Sequence, residues 1–274
     1  MRTLDLLAYL SVLGMTVLLL FSAGTRDADA PPAPPNALEE VGIALAPPSP
    51  FDEQVLIQVA RPQDGVGTAF SINSEGYWLT ARHVVEGCEH VGLFVRPGNY
   101  VPARSVEINP RYDLALLKTD YAPNPVTMSL DSVLRVGTEG YHVGFPQGKP
   151  GEAVAQLHSR SSLISSGERQ GREPVLAWSE LGRTRGLEGS LGGLSGGPVY
   201  DRRGIVRGVI LAESPRRGRI YTAAPSIIKE FLNENGVEYG SNTAVDFNLQ
   251  DYGEKADGIR RSGQVVKVAC RVRS

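Results

Sequence analysis

The sequence is poor in cysteine: Cys88 and Cys270 are the two in 274 residues. Two are too few for a disulfide scaffold, and their spacing does not fit a zinc site. In a reducing compartment they are free thiols; in an oxidising one they can close a single long loop. Histidine is also scarce, and His90, His142 and His158 lack ligand-like spacing, so neither a metal nor a cofactor is expected. No charge of either sign dominates. The formal net charge of −2 excludes a strong global pull on nucleic acid. Aromatic residues make up only 7%, whereas 31 glycines and 19 prolines suit many turns between short strands. That balance favours an all-β fold, and the length suffices for a sizeable core.

Only one long apolar run occurs. Residues 6–23 read LLAYLSVLGMTVLLLFSA without a charge. At ~1.5 Å per residue they reach roughly 27 Å as a helix, enough to cross a bilayer core. The preferred reading is an uncleaved membrane anchor within residues 1–24. A signal peptide is the alternative, because Ala28-Asp29-Ala30 matches a cleavage pattern. Either reading exports the rest of the chain. Residues 25–50 are a proline-rich linker, with residues 31–50 too dense in proline for helix or central strand. Within them EEVGIALA is the one stretch able to pack as an arm instead.

From residue 51 short apolar runs alternate with glycine and charge. Strands are expected at 55–60, 67–73, 77–81, 91–95, 113–119, 139–145, 153–164, 174–180, 197–201, 204–214 and 218–224. Asp64-Gly65 and Arg203-Gly204 stand where hairpin turns are needed. Residues 225–233 form an amphipathic helix, with Ser226 as its expected cap. Many strands followed by one helix indicate a barrel or sandwich. Residues 236–274 form an extension expected to pack on this domain. A short polar helix and an alternating strand at 264–272 add an edge strand to it.

Three motifs carry chemistry. His83 lies in Leu79-Thr80-Ala81-Arg82-His83-Val84-Val85, Asp113 opens Asp113-Leu114-Ala115-Leu116-Leu117, and Ser195 lies in Gly193-Leu194-Ser195-Gly196-Gly197-Pro198. A serine hydroxyl attacks well only when a base takes its proton, and imidazole titrates in the right range. An aspartate can hold that imidazole in one tautomer. Glycines around the serine let the N–H groups of Gly193 and Ser195 converge on an oxyanion.

Together these motifs resemble the trypsin-like serine protease family, closest to its bacterial HtrA-like branch. Gly67-Thr68-Ala69-Phe70 and Gly144-Phe145-Pro146 belong to the same likeness, which covers about residues 51–235. The resemblance implies two six-stranded antiparallel β-barrels of the chymotrypsin type with a C-terminal helix. It implies a catalytic triad of His83, Asp113 and Ser195 in the cleft between them. It also implies a substrate pocket built from Gly189, Ile210, Ala212, Tyr221 and Ala223, which suits a small or medium apolar side chain. Leu194 departs from the asparagine common in the family. About 39 residues follow the helix, too few for a PDZ domain. The expected activity is a serine endopeptidase acting on polypeptides outside the cytoplasm, periplasmic and held to the inner membrane by residues 6–23. No oligomeric state is assigned. If the body is exported, Cys270 can pair with Cys88. The alternatives are a silent peptide-binding protein of the same fold and an α/β-hydrolase esterase. The esterase expects its histidine last, and here it comes first.

Overall fold

The computed structural model describes residues 42–96, 98–168 and 170–273. The apolar run 6–23, the cleavage pattern and most of the proline-rich linker lie outside the described residues. In chain order, β1 (Glu53–Val59) is followed by β2 (Gly65–Ser71), β3 (Tyr77–Thr80), the single turn α1 (Arg82–Val85) and β4 (Cys88–Arg96). Next come β5 (Asn99–Pro102), β6 (Ser105–Ile108), β7 (Ala115–Lys118) and β8 (Glu139–Gly144). The long β9 (Gly151–Gly167) and β10 (Gly171–Arg183) precede β11 (Pro198–Tyr200), β12 (Val206–Ser214) and β13 (Arg219–Ala223). The chain ends with α2 (Pro225–Glu234), α3 (Tyr252–Arg261) and β14 (Val265–Val272). Each expected strand overlaps an observed one. Strands β5 and β6 were not foreseen, because each is only four residues long and most of their residues are exposed.

The strands form two seven-stranded sheets, and both roll into barrels of the expected all-β, chymotrypsin type. In the second sheet β8 pairs with both β9 and β11, so β8-β9-β10-β13-β12-β11 closes as a ring of six. The seventh strand, β1, is added outside the ring, parallel to β9, with Val55 opposite Leu163. In the first sheet the order is β5-β4-β14-β2-β3-β7-β6. Strands β5 and β6 are two arms of one bent segment. At the bend Ala103 N–H donates to Val91 O at 2.9 Å and Arg104 N–H to Lys118 O at 2.7 Å. The bend therefore bridges β4 to β7, and six strand positions again complete the barrel.

Large apolar side chains fill both interiors. Trp78, Leu93 and Val268 are fully buried on one face of the first sheet and Phe70 and Leu79 on the other, and Leu176, Trp178 and Val199 are fully buried in the second. Each buried indole satisfies its N–H: Trp78 donates to Thr119 Oγ1 and Trp178 to Thr222 Oγ1, both at 2.9 Å. Gly140 is required beside Trp178, since a Cβ there would lie 2.6 Å from the indole.

Several expectations need correction. The tail strand is not an edge strand: β14 lies inside the first barrel, between β4 and β2. Asp64-Gly65 makes no hairpin, because β1 leaves for the other barrel; Asp64 Oδ1 instead accepts the Val272 N–H at 2.8 Å. Ser226 does not cap α2; Ala224 is the N-cap residue and Pro225 takes the first turn, where no N–H is needed. Part of the expected linker is an arm. Leu45 N–H donates to Leu134 O at 2.8 Å and Val136 N–H to Ile43 O at 3.0 Å. Arg203-Gly204 does turn between β11 and β12, with Asp201 Oδ1 accepting two N–H groups.

The C-terminal extension is thus part of the protease-like body. Arg260 of α3 is buried against the second barrel, bonded to Glu152 Oε2 at 2.6 Å and to the carbonyls of Gly144 and Gly151 at 3.2 Å. Cys270 of β14 is disulfide-bonded to Cys88 of β4, with Cα atoms 5.5 Å apart. Removing β14 exposes two strand edges and the apolar sockets of Val265, Val266 and Val268, each worth about 1.5–3 kcal/mol. A chain ending at residue 262 is expected to lose cooperative folding, read by near-UV circular dichroism and thermal melting. Cys270→Ser is expected to remain folded but to lose about 2–5 kcal/mol in denaturant titrations. A native melt for the truncated chain would refute this account of the first barrel.

Candidate active site

His83 enters the cleft from the first barrel. Strand β3 ends at Thr80, and α1 follows at once, anchored by buried Val84 and Val85. Its imidazole, 38% exposed, is left facing the cleft. Asp113 stands just before β7 on a loop shaped by Asn109, whose Oδ1 accepts N–H groups from Arg111 and Tyr112, both at 2.8 Å. The two residues meet in a two-point contact. Asp113 Oδ1 accepts the His83 backbone N–H at 2.9 Å, and Oδ2 lies 2.7 Å from Nδ1. A carboxylate only accepts, so Nδ1 carries hydrogen and Nε2 is the basic nitrogen.

Ser195 comes from the second barrel, on the loop before β11. Here glycine is obligatory at two places. Gly196 has φ +84°, and a Cβ would fall 2.2 Å from Thr68 O; Gly193 has φ +99°, and a Cβ would fall 2.5 Å from Phe145 O. The loop's carbonyls are held by donors from neighbouring segments. Gln147 N–H donates to Gly192 O at 2.6 Å and Thr68 N–H to Ser195 O at 2.9 Å. The Thr68 hydroxyl donates to Gly193 O at 2.7 Å. Among the described residues no acceptor takes the N–H of Gly193 or of Ser195, and the Ser195 hydroxyl makes no hydrogen bond. In substrate-free hydrolases the contact between base and nucleophile is often long and tightens on binding.

His83, Asp113, Gly193 and Ser195 line one open cavity of about 610 Å³. Its opposite wall is the segment 57–66, the end of β1 and its link to β2. Beside Ser195 lies a small pocket of about 30 Å³, lined by Leu191, Leu194, Ile210, Ala212, Glu213 and Ile220. Of the expected pocket residues, Ile210 and Ala212 are there. Tyr221 and Ala223 are buried in the larger core instead, because successive residues of β13 point to opposite faces and Ile220 takes the pocket side. Gly189 is exposed on the preceding loop, where its carbonyl accepts from Arg183. Glu213 lines the pocket as well, with Oε1 accepting the Ser190 hydroxyl and the Leu191 N–H.

Electrostatics suit a base. Burial of the imidazole lowers the His83 pKa, but the hydrogen-bonded Asp113, then Glu173 and Glu86, overcome it and hold the value above the ordinary 6.5. His142 is the opposite case. Fully enclosed in the second barrel, it is pushed down to about 3 and stays neutral at working pH.

Thr68, Gln147 and Glu173 were not singled out from the sequence. Thr68 lies in the Gly67-Thr68-Ala69-Phe70 motif, so its position was visible but its bonds to a loop 125 residues away were not.

Comparison with known proteins agrees with this geometry. A family model described as a trypsin-like peptidase domain matches residues 67–209, just over half of the chain. The uncharacterized protein y4bJ of Sinorhizobium fredii is 30% identical over 185 residues, covering 64% of this chain and 27% of its own. A probable periplasmic DegP-like serine endoprotease of Bartonella henselae is 29% identical, covering 64% of this chain and 35% of its own. The chain thus spans about a quarter to a third of the length of these relatives. In fold it is similar to the Rv3671c protease of M. tuberculosis. The active form gives a TM-score of 0.52 at 18% identity, covering 73% of this chain and 98% of that one. An inactive form gives 0.51 at 22% identity, covering 62% and 84%. By its motifs, its paired barrels and the matched domain, this chain belongs to the trypsin-like peptidase family.

Proposed function

We propose that the protein is a serine endopeptidase, with Ser195 as nucleophile, His83 as general base and Asp113 as the residue that orients His83. The observation that carries this reading is the meeting in one cavity of the Asp113–His83 pair, Ser195 and Gly193, the last two with N–H groups that no acceptor among the described residues takes. Nε2 takes the Ser195 proton as Oγ attacks the scissile carbonyl, and the new imidazolium is stabilised by Asp113. The tetrahedral oxyanion is held by the N–H groups of Gly193 and Ser195. The imidazolium then protonates the leaving amine. Water hydrolyses the acyl-enzyme by the same steps in reverse order of roles.

The substrate is a polypeptide, and the shallow apolar pocket favours a small aliphatic side chain before the cut bond. Ile220, Ile210, Leu191 and Leu194 supply its apolar lining, and Glu213 Oε1 is held by the Ser190 hydroxyl and the Leu191 N–H. The reaction takes place outside the cytoplasm. Relatives named as periplasmic and the Cys88–Cys270 disulfide support that location. Residues 6–23 anchor the protein to the inner membrane in this reading.

Three measurements test it. A fluorophosphonate probe is expected to label the protein at Ser195, and Ser195→Ala to abolish labelling and lower kcat by roughly 10⁴–10⁶. A wild-type protein that never labels while folded would instead fit a silent peptide binder. The reaction needs neutral His83, so kcat/KM is expected to rise with pH through a midpoint above 6.5. Asp113→Asn removes the charge that raises this midpoint and is expected to lower kcat by about 10⁴. Profiling with a peptide library should give cleavage after alanine or valine, with Ile220→Gly widening acceptance to leucine and phenylalanine. Strong cleavage after lysine or arginine would overturn the apolar assignment.

A further inference from the structure

The amide of Asp113 is held by a residue outside the three motifs. Glu173 stands near the start of β10, 6% exposed, and its Oε2 accepts the Asp113 N–H at 2.8 Å. It also lines the cavity that contains His83 and Ser195. Asp113 is therefore fixed on both sides. Its backbone is bonded to Glu173, and its carboxylate is bonded to both the backbone and the ring of His83.

The two carboxylates come from different barrels. Asp113 belongs to the first, whereas Glu173 lies on β10 of the second, opposite Leu163 of β9. Ser195 also belongs to the second barrel. The Glu173–Asp113 bond thus fixes the base against the barrel that carries the nucleophile. A displacement near 1 Å between such groups can cost about 10²-fold in rate, so a bond across this seam has a direct catalytic use.

Charge adds a second effect. The acidic groups that act on His83 are Asp113, Glu173 on β10 and Glu86 at the end of α1, and Glu86 is paired with Arg82 one turn before it. Placing Glu173 beside Asp113 puts two carboxylates in a partly dry site. That is unfavourable at rest and favourable once the imidazole is positive.

We propose that Glu173 is a positioning residue for catalysis, holding Asp113 by its backbone amide from the opposite barrel and adding a second negative charge behind the imidazolium of His83. The proposal rests on the endopeptidase reading.

The test is an NMR titration of the His83 ring in the wild-type protein, in Glu173→Gln and in Glu173→Asp, alongside kcat and KM. Glu173→Gln keeps an acceptor for the Asp113 amide but loses the charge. The His83 midpoint and the acid limb of kcat/KM are expected to move down by about half a pH unit or more. A fall in kcat of about 10-fold with KM nearly unchanged should accompany the shift. Glu173→Asp restores the charge and should bring the midpoint back towards wild type. An unchanged His83 midpoint in folded Glu173→Gln overturns the proposal, as does a loss of melting temperature with normal kcat and pH profile. If Glu173→Gln does not fold, the wild-type Asp113 amide proton decides. A bond to a carboxylate places it far downfield and moves it as that carboxyl is protonated; an ordinary, pH-independent resonance refutes the contact. The titration needs no turnover. Absence of fluorophosphonate labelling would sink the endopeptidase reading while leaving the His83–Glu173 coupling measurable.

Discussion

The amide and hydroxyl of Thr68 bind the carbonyls of Ser195 and Gly193, and most of the site follows from that contact. Thr68 lies in β2 of the first barrel, fully buried, while both carbonyls belong to the second. The same hydroxyl oxygen accepts the Phe145 N–H at 3.1 Å, and the Thr68 carbonyl accepts the Thr80 hydroxyl at 2.6 Å. One residue thus joins the nucleophile loop, the Gly144-Phe145-Pro146 turn and the strand that delivers His83. The peptides that carry the Gly193 and Ser195 N–H groups are held through their own carbonyls, Gly192 O by the Gln147 N–H and Leu194 O by the Gly197 N–H, while Thr68 holds the two peptides that alternate with them. The close approach also explains two glycines: a Cβ at Gly144 or Gly196 would press on Thr68.

Thr68 is in turn supported by the end of the chain. In register it faces Lys267 of β14, the strand that completes the first barrel. Strand β14 also pairs with β4, and the Cys88–Cys270 bridge fixes that pairing two residues beyond Glu86. The tail therefore does more than cover the domain. It supplies the interior strand on which the nucleophile's tether rests. Strand β1, the segment nearest in sequence to β2, lies on the other barrel and walls the cleft instead. The boundary expected at residue 235 divides a single cooperative unit, because neither β2 nor β4 is fully paired without residues 265–272.

What was legible in the sequence was local. Alternation revealed nearly all strands, and the rarity of Gly193-Leu194-Ser195-Gly196-Gly197-Pro198 pointed to the nucleophile loop. Partner choice was not legible. The alternating pattern at 264–272 identifies a strand, yet pairing on both edges depends on β2 and β4, some two hundred residues earlier. Consecutive Val265 and Val266, both buried, were the available sign that neither face is solvated. Asp64-Gly65 failed for the same reason: turn chemistry states that the chain can bend, not which strands flank the bend. The pocket was misread by a single step in parity. Shifting by one residue exchanges the two faces of a strand, so Tyr221 was expected where Ile220 lies. Glu173 had no local signal at all, since it meets Asp113 across 60 positions and an inter-barrel seam.

The seam also accounts for the charge arrangement. Carboxylates buried inside one barrel would have to be neutralised by fixed cations, as Glu152 is by Arg260. At the seam, Asp113 faces instead a base whose charge changes during reaction. At rest its negative charge is met by two N–H donors of His83, and Glu173 is met by the Asp113 amide. The field of these carboxylates raises the His83 pKa, and in the proposed mechanism it is most favourable when Nε2 has just taken the Ser195 proton. In that mechanism Asp113 and Glu173 favour the transition state over the ground state, and they can do so only while Thr68 and β14 keep the two barrels in register.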